Sequence, residues 1–280
     1  MQLPMLKEAL REHLSGPEIA TLSSSFDVIG DIAIIKIPEQ LKSKERIIGE
    51  QILQRMKNIK TVLKQNSDVK GEFRTRDVVL VAGEEKYETL YKESGILFKV
   101  NVNTAYFSPR LSTERQRLRS LVTDGEHIFN MFAGIGTFSL IIAKTKNCQV
   151  ESVDKNPEAI RLGSESLKLN RKMKGTVNMI LDDAKDFANR HPGEFDRVLM
   201  PLPERAPDFI SLAVISAKQV PGSMIHYYIH VSEEDFYNEN YINNHLRSLD
   251  LPRRYEVAKW KKVREVGPRF IQAVADIILL

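Results

Sequence analysis

The chain carries a single cysteine, Cys148, so it has no intrachain disulfide framework and no cysteine-built zinc site. No apolar run approaches the ~20 residues that a membrane-spanning helix needs. Met1 to Arg11 mix charged with apolar side chains and lack the apolar core of a secretory signal, so a cytoplasmic location is expected. Internal repeats, low-complexity stretches and long linkers are absent. The excess of one charge sign is small too: a net +4 permits a polyanionic partner without demanding one. Hydrophobic residues, by contrast, make up 42% of 280 residues against 28% charged, which suits a packed core rather than disorder.

The rhythm of the chain changes once. Early segments read as a small α+β unit over residues 1–97. A helix is expected from Met5 to Leu14, a strand from Phe26 to Pro38, and a helix at 41–57 with apolar residues at helical spacing. Further strands are expected at Ile59–Leu63, Val78–Ala82 and Ile96–Val102. In the later part, assigned to residues 98–280, strands alternate with helices: Ile128–Met131, 137–145, Gln149–Val153, 157–169, Thr176–Ile180, 184–190, Arg197–Met200, 206–218 and Ser223–Val231. Such alternation implies a parallel, doubly wound α/β sheet. Two terminal strands flank Gly267-Pro268.

One stretch carries chemistry. The apolar pair Ile128-Phe129 leads into Phe132-Ala133-Gly134-Ile135-Gly136, then a helical pattern, then a strand ending in Asp154. Strand, glycine turn, helix, strand and acid is the pattern of a nucleoside-binding site: the glycines admit close backbone approach, and the acid suits a ribose diol. The dinucleotide fingerprint wants a third Gly or an Ala where Ser139 stands. The turn is instead similar to the first motif of class I methyltransferases, which bind S-adenosylmethionine, and Asp182-Asp183-Ala184 stands where a carboxylate usually meets the adenine amino group.

Asn101 to Arg115, with Ser108-Pro109-Arg110-Leu111-Ser112-Thr113-Glu114-Arg115 at its centre, resembles a signature of the archaeal and eukaryotic tRNA (guanine-37-N1)-methyltransferases. The likeness continues through the glycine turn, Asn156-Pro157-Glu158-Ala159, Leu167-Lys168-Leu169-Asn170, and Arg197-Val198-Leu199-Met200-Pro201-Leu202-Pro203. Upstream it includes Gly71-Glu72-Phe73-Arg74 and Phe26 to Ile32. It implies a Rossmann-like class I methyltransferase domain with a smaller N-terminal domain that contacts RNA. The implied reaction moves a methyl from S-adenosylmethionine to N1 of guanosine 37 in the tRNA anticodon loop, with the enzyme a monomer.

The resemblance assigns the base to Glu114 and makes Arg74 the partner of guanine O6. It places Arg115, Phe132, Ala133, Gly134, Ile135, Asp154, Lys155, Asp183, Ala184 and Pro203 at the cofactor, and Tyr106 and Arg110 at the tRNA. From spacing alone, Glu114 is a first-turn helix residue behind a Thr113 cap with Gln116 closing a capping box, and Arg74 a solvated strand charge. Arg117 and Arg119 read as a basic outer face. His226 and His230 lie on one strand face about two residues too far apart for a metal, so no metal site is expected.

Three departures from the family stand out. Asn130 replaces an Asp before the turn, and Pro201 replaces an Asn, so only the backbone carbonyls of Pro201 and Leu202 remain there. Many relatives also carry a further N-terminal domain that touches the tRNA elbow, so more local recognition is expected. Two other readings stay open. One is a wyosine-pathway enzyme that methylates the tricyclic base or transfers an aminocarboxypropyl group. The other is a tRNA-binding protein with a degenerate cofactor site.

Overall fold

The structure is a computed structural model describing residues 2–22, 26–66, 71, 74 and 76–280. It divides into two compact units, Met1–Pro109 and Arg110–Leu280. The sequence boundary at 97/98 falls within a strand, Ile96–Asn101, which pairs with another strand of the first unit.

The first unit contains α1 (Gln2–Ala9), α2 (Gly16–Thr21), β1 (Asp27–Ile29), β2 (Ile32–Ile35), α3 (Glu45–Arg55), β3 (Thr61–Gln65), β4 (Val78–Gly83), β5 (Glu88–Glu93) and β6 (Ile96–Asn101). Strands β1 to β4 form one sheet in that order, while β5 and β6 form a separate hairpin. The single strand expected over Phe26–Pro38 is two. Gly30 turns the chain with φ +58°, where an added Cβ would lie 2.4 Å from the Leu90 carbonyl oxygen. Helix α3 then crosses from β2 to a parallel β3. Its apolar positions Ile48 and Ile52 bury against Leu41, Val62 and Leu10.

The second unit contains α4 (Ser112–Leu121), β7 (His127–Asn130), α5 (Thr137–Thr145), β8 (Gln149–Asp154), α6 (Pro157–Leu169), β9 (Thr176–Leu181), α7 (Ala184–Arg190), β10 (Arg197–Met200), α8 (Ala206–Ser216), β11 (Met224–Ser232), α9 (Glu233–Tyr237), α10 (Tyr241–Ser248), β12 (Tyr255–Gly267) and β13 (Phe270–Leu279). Its seven-stranded sheet runs β12-β13-β11-β10-β7-β8-β9. The last five strands in that order are parallel, and β13 and β12 pair antiparallel at the other edge. This is the expected class I methyltransferase architecture.

Side chains on successive strand residues face opposite ways. Tyr227 enters the core with Phe129, Val198 and Ile210, while Tyr228 enters the other core with Leu118, Phe138 and Val274. Met179 of β9 packs closely on two glycines: an ideal Cβ would lie 3.0 Å from its sulfur at Gly136 and 2.3 Å from its methyl at Gly163. Among the described residues no helix is long and apolar enough to cross a membrane.

Candidate functional site

In an open α/β sheet, ligands bind beyond the carboxyl ends of the strands, where the strand order reverses. Here that point lies between β7 and β10. The chain leaves β7 into Phe132–Gly136, β8 into Asp154-Lys155, β9 into Asp182-Asp183, and β10 into Pro201–Pro203. The residues expected at a cofactor therefore share one edge of the sheet, except Arg115, which is fully buried on α4.

The turn after β7 needs its glycines, since Gly134 has φ +54° and Gly136 +74°. A Cβ at Gly136 would also lie 2.8 Å from Leu140. Gly134 N donates to Asp154 Oδ2 at 2.6 Å, and Asn156 N donates to Oδ1 at 2.9 Å. Burial pushes the Asp154 carboxyl above its ordinary value, against the pull of the Asn156, Gly134 and Lys155 amides. An acid held by the turn at the end of the second parallel strand fits a ribose diol, so the residues present suit a nucleoside-bearing cofactor.

Asp183 has a structural duty as well: it caps α7, accepting from Lys185 N at 2.8 Å. Its other oxygen lies 3.5 Å from Lys155 Nζ. Ala184, the first helical residue, is buried, and so is Pro203. Phe132 stacks edge-on against Phe209 at 5.0 Å. The expectation of two open carbonyls near Pro201 is corrected, because Leu202 O already accepts from Arg205 N and Ala206 N. Asn130 is fully buried and its Nδ2 donates to Ser139 Oγ at 3.0 Å. Its Oδ1 has no partner among the described residues.

Glu114 lies in the first turn of α4, as expected, but Leu111 rather than Thr113 occupies the cap and makes no side-chain cap bond. Thr113 lies within the helix. Only 4% of Glu114 is exposed. Arg117 donates to it from Nη2 (2.7 Å to Oε1) and Nε (2.8 Å to Oε2), and the Tyr228 hydroxyl donates to Oε1 at 2.6 Å. Arg117 is thus not part of an outer basic face. The same guanidinium also grips Asp276 at 2.6 and 3.1 Å.

Asp276 Oδ1 lies 2.6 Å from His226 Nδ1, and Arg197 Nη1 lies 2.6 Å from His226 Nε2. A guanidinium only donates, so Nε2 accepts and His226 is a neutral imidazole with its proton on Nδ1. Burial depresses His226 further, with the Arg197 charge beside it, despite the opposing pull of Asp276. Asp276 is held down to about 2, because the bonds from His226 and Arg117 outweigh its burial. Sequence reading missed Tyr228 and Asp276. The available signal was a lone acid in the apolar strand Phe270–Leu279 and a histidine in the apolar strand Met224–Ser232.

In the first unit the structure brings Arg74 and Tyr106 together: the guanidinium lies over the Tyr106 ring, 4.5 Å from its centre. Arg74 is not a strand residue. It closes a turn, its N donating to Gly71 O at 3.2 Å, and has φ +51°. Its motif neighbours Glu72 and Phe73 lie outside the described residues. Arg110 opens the second unit and is exposed.

Comparison with known proteins agrees with this layout. Residues 89–257 match the family described as "TRM5/TYW2 methyltransferase domain", and residues 6–86 match "TYW2 N-terminal domain". A Pyrococcus abyssi protein named tRNA (guanine(37)-N(1))-methyltransferase Trm5b is 39% identical, over 91% of this chain and 72% of its own length. The solved complex of aTrm5 and tRNALeu is similar with a TM-score of 0.82 at 29% identity, covering 100% of this chain and 79% of that one. P. horikoshii TYW2 in complex with MeSAdo gives 0.78 at 26% identity, covering 99% of both chains. Matched in both units, this chain belongs to the TRM5/TYW2 methyltransferase family.

Proposed function

We propose that this chain is an S-adenosylmethionine-dependent methyltransferase acting on N1 of guanosine 37 in tRNA, and that it meets the anticodon loop as a monomer. The observation that carries the reading is 39% identity, over 91% of the chain, to a protein named for that reaction. The glycine turn and Asp154 at the switch point support it. Phe132, Ala133, Gly134 and Ile135 form the floor for the cofactor, Asp154 takes the ribose, and Lys155, Asp183, Ala184 and Pro203 line its adenine and methionine ends. Arg115 supports the site from within α4.

Guanine N1 carries a proton at neutral pH and is a poor nucleophile. S-adenosylmethionine supplies an electrophilic methyl on a sulfonium sulfur, which keeps the electron pair of the broken carbon–sulfur bond. Glu114 accepts the N1 proton, and the nitrogen pair forms the new bond to carbon. Arg74 binds guanine O6 and stabilises the charge that develops as the proton leaves. Tyr106 and Arg110 contact the flipped-out nucleotide or its phosphates, since a stacked base cannot reach a buried methyl donor.

Nucleoside mass spectrometry of an unmodified tRNA transcript incubated with enzyme and methyl donor tests the reading. One added methyl on guanosine 37, with none when position 37 is changed to adenosine, is the expected result. Unchanged nucleosides would sink it. A Nanoarchaeum equitans protein named tRNA (guanine(37)-N(1))/4-demethylwyosine(37)-methyltransferase, 28% identical over 91% of this chain, is the ground for testing a second substrate, the tricyclic base at the same position. The same assay on tRNA carrying that base separates the two.

A further inference from the structure

Two buried carboxylates, Glu114 and Asp276, share one guanidinium, Arg117. Each receives two nitrogens of it: Nε and Nη2 reach Glu114, and Nη1 and Nη2 reach Asp276. Arg115, next to Glu114 on α4, is fully buried as well. Tyr228 of β11 is fully buried and burial holds its phenol well above the ordinary value, so it stays a neutral donor. His226, also on β11, is neutral. Arg197 of β10 is matched by Glu126, which accepts from it at 2.6 and 2.9 Å. Lys259, opposite Asp276 on β12, is exposed.

The trio of Glu114, Arg117 and Asp276 therefore carries one negative charge too many while Glu114 is ionised. It becomes neutral when Glu114 gains a proton. Buried charge that is left uncompensated is costly, so the shared guanidinium ties the two carboxylates to each other. Arg117 also stays paired, through Asp276, after Glu114 has been neutralised. Among the described donors Oε2 receives only Arg117 Nε, and a carboxylate oxygen has a second lone pair to offer.

We propose that Asp276 is a positioning residue for the base: by holding the far side of Arg117 it makes Glu114 ready to take the N1 proton and keeps the guanidinium compensated afterwards. This rests on the reading of Glu114 as base. The proton and electron balance is that given above, with the proton ending on Glu114.

The test compares Asp276→Asn and Tyr228→Phe with the parent in two measurements. One is the pH profile of single-turnover methyl transfer with saturating tRNA and cofactor. The other is the ionisation of Glu114 followed by carboxyl-carbon NMR without cofactor or RNA. Asp276→Asn leaves Arg117 to Glu114 alone, so the acid limb and the NMR titration both move down by about one pH unit, and the plateau rate falls roughly tenfold. Tyr228→Phe removes a donor to the ionised form, so both move up. Opposite shifts, with cofactor affinity within about threefold of the parent, are not the signature of general structural damage.

If Asp276→Asn does not fold, Asp276→Ser, which also removes the charge from the far side of Arg117, carries the test in its place, and a titration coincident with the parent overturns the proposal. Glu114→Gln separates the two claims. Parent-like turnover removes the base itself. An inactive Glu114→Gln beside unmoved titrations in Asp276→Asn and Tyr228→Phe leaves the base standing and removes the role of Asp276.

Discussion

Asp154 and Gly134 are joined by a 2.6 Å hydrogen bond from the glycine amide to the carboxylate, so the acid at the end of one strand is anchored by the turn at the end of its neighbour. The bond fixes where the carboxylate sits, and with it the proposed ribose contact. Asp154→Ala is expected to weaken cofactor binding at least tenfold by calorimetry, a loss of about 1.4 kcal/mol or more. Because burial raises this carboxyl, protonation sets in above the ordinary carboxylate range. Affinity should fall as pH drops from 7.5 to 4.5, and Asp154→Asn should flatten that slope. A pH-independent affinity in the parent would show that the carboxylate does not meet the cofactor.

Arg74 occupies a left-handed backbone conformation, which costs a non-glycine residue roughly 1–2 kcal/mol. Arg74→Gly relieves that strain and deletes the guanidinium together. Thermal stability is expected to hold or rise while single-turnover methyl transfer falls by about 10²-fold or more. Retained activity would remove Arg74 from the chemistry.

Acid should destabilise the protein in two stages. His226 is buried and His245 half-buried, both with lowered affinity for protons, so the unfolded chain binds protons more readily below about pH 6.5, and stability falls as the pH drops there. Asp276 is held down to about 2 in the fold. Its contribution, complete above about pH 4, is lost between that pH and about 2. Melting curves at pH 7.5, 5.5, 4 and 3 check this; a melting temperature that rises from pH 7.5 to 5.5 contradicts it.

Asn130 offers the reverse sign. The side chain is fully buried, with Ser139 as the hydrogen-bond partner of its Nδ2. In Asn130→Asp the new carboxyl would be raised by burial, so the variant should lose stability as pH rises from 5 to 8 in the absence of cofactor. Calorimetric melts of variant and parent across that range decide it. Parallel curves would mean that a cation or an unrecognised donor reaches position 130.

The second unit was legible because its signals are local. Asn156 caps α6 through Glu158 N with Pro157 behind it, and Asp183 caps α7, so helices 157–169 and 184–190 match their sequence bounds. Strand β10 is fully buried, apolar after Arg197, and was equally plain. Strand β5, Glu88–Glu93, was missed because its polar alternation serves a two-stranded hairpin rather than a buried sheet. Helices α9 and α10 escaped because α9 is a short acidic turn and α10 is broken from it at Asn238. The cluster around Glu114 was hidden for a different reason. Arg117 meets Asp276 across 159 positions and Tyr228 meets Glu114 across 114, so no window of sequence contains either pair.

The Met179 side chain wedges between Gly136 and Gly163, leaving little room around its sulfur. An oxidant that adds oxygen there converts a soft spacer into a bulky polar one beneath the glycine turn of the proposed cofactor site. Peroxide should then erode cofactor affinity at doses that leave the melting transition intact, and Met179→Leu should resist.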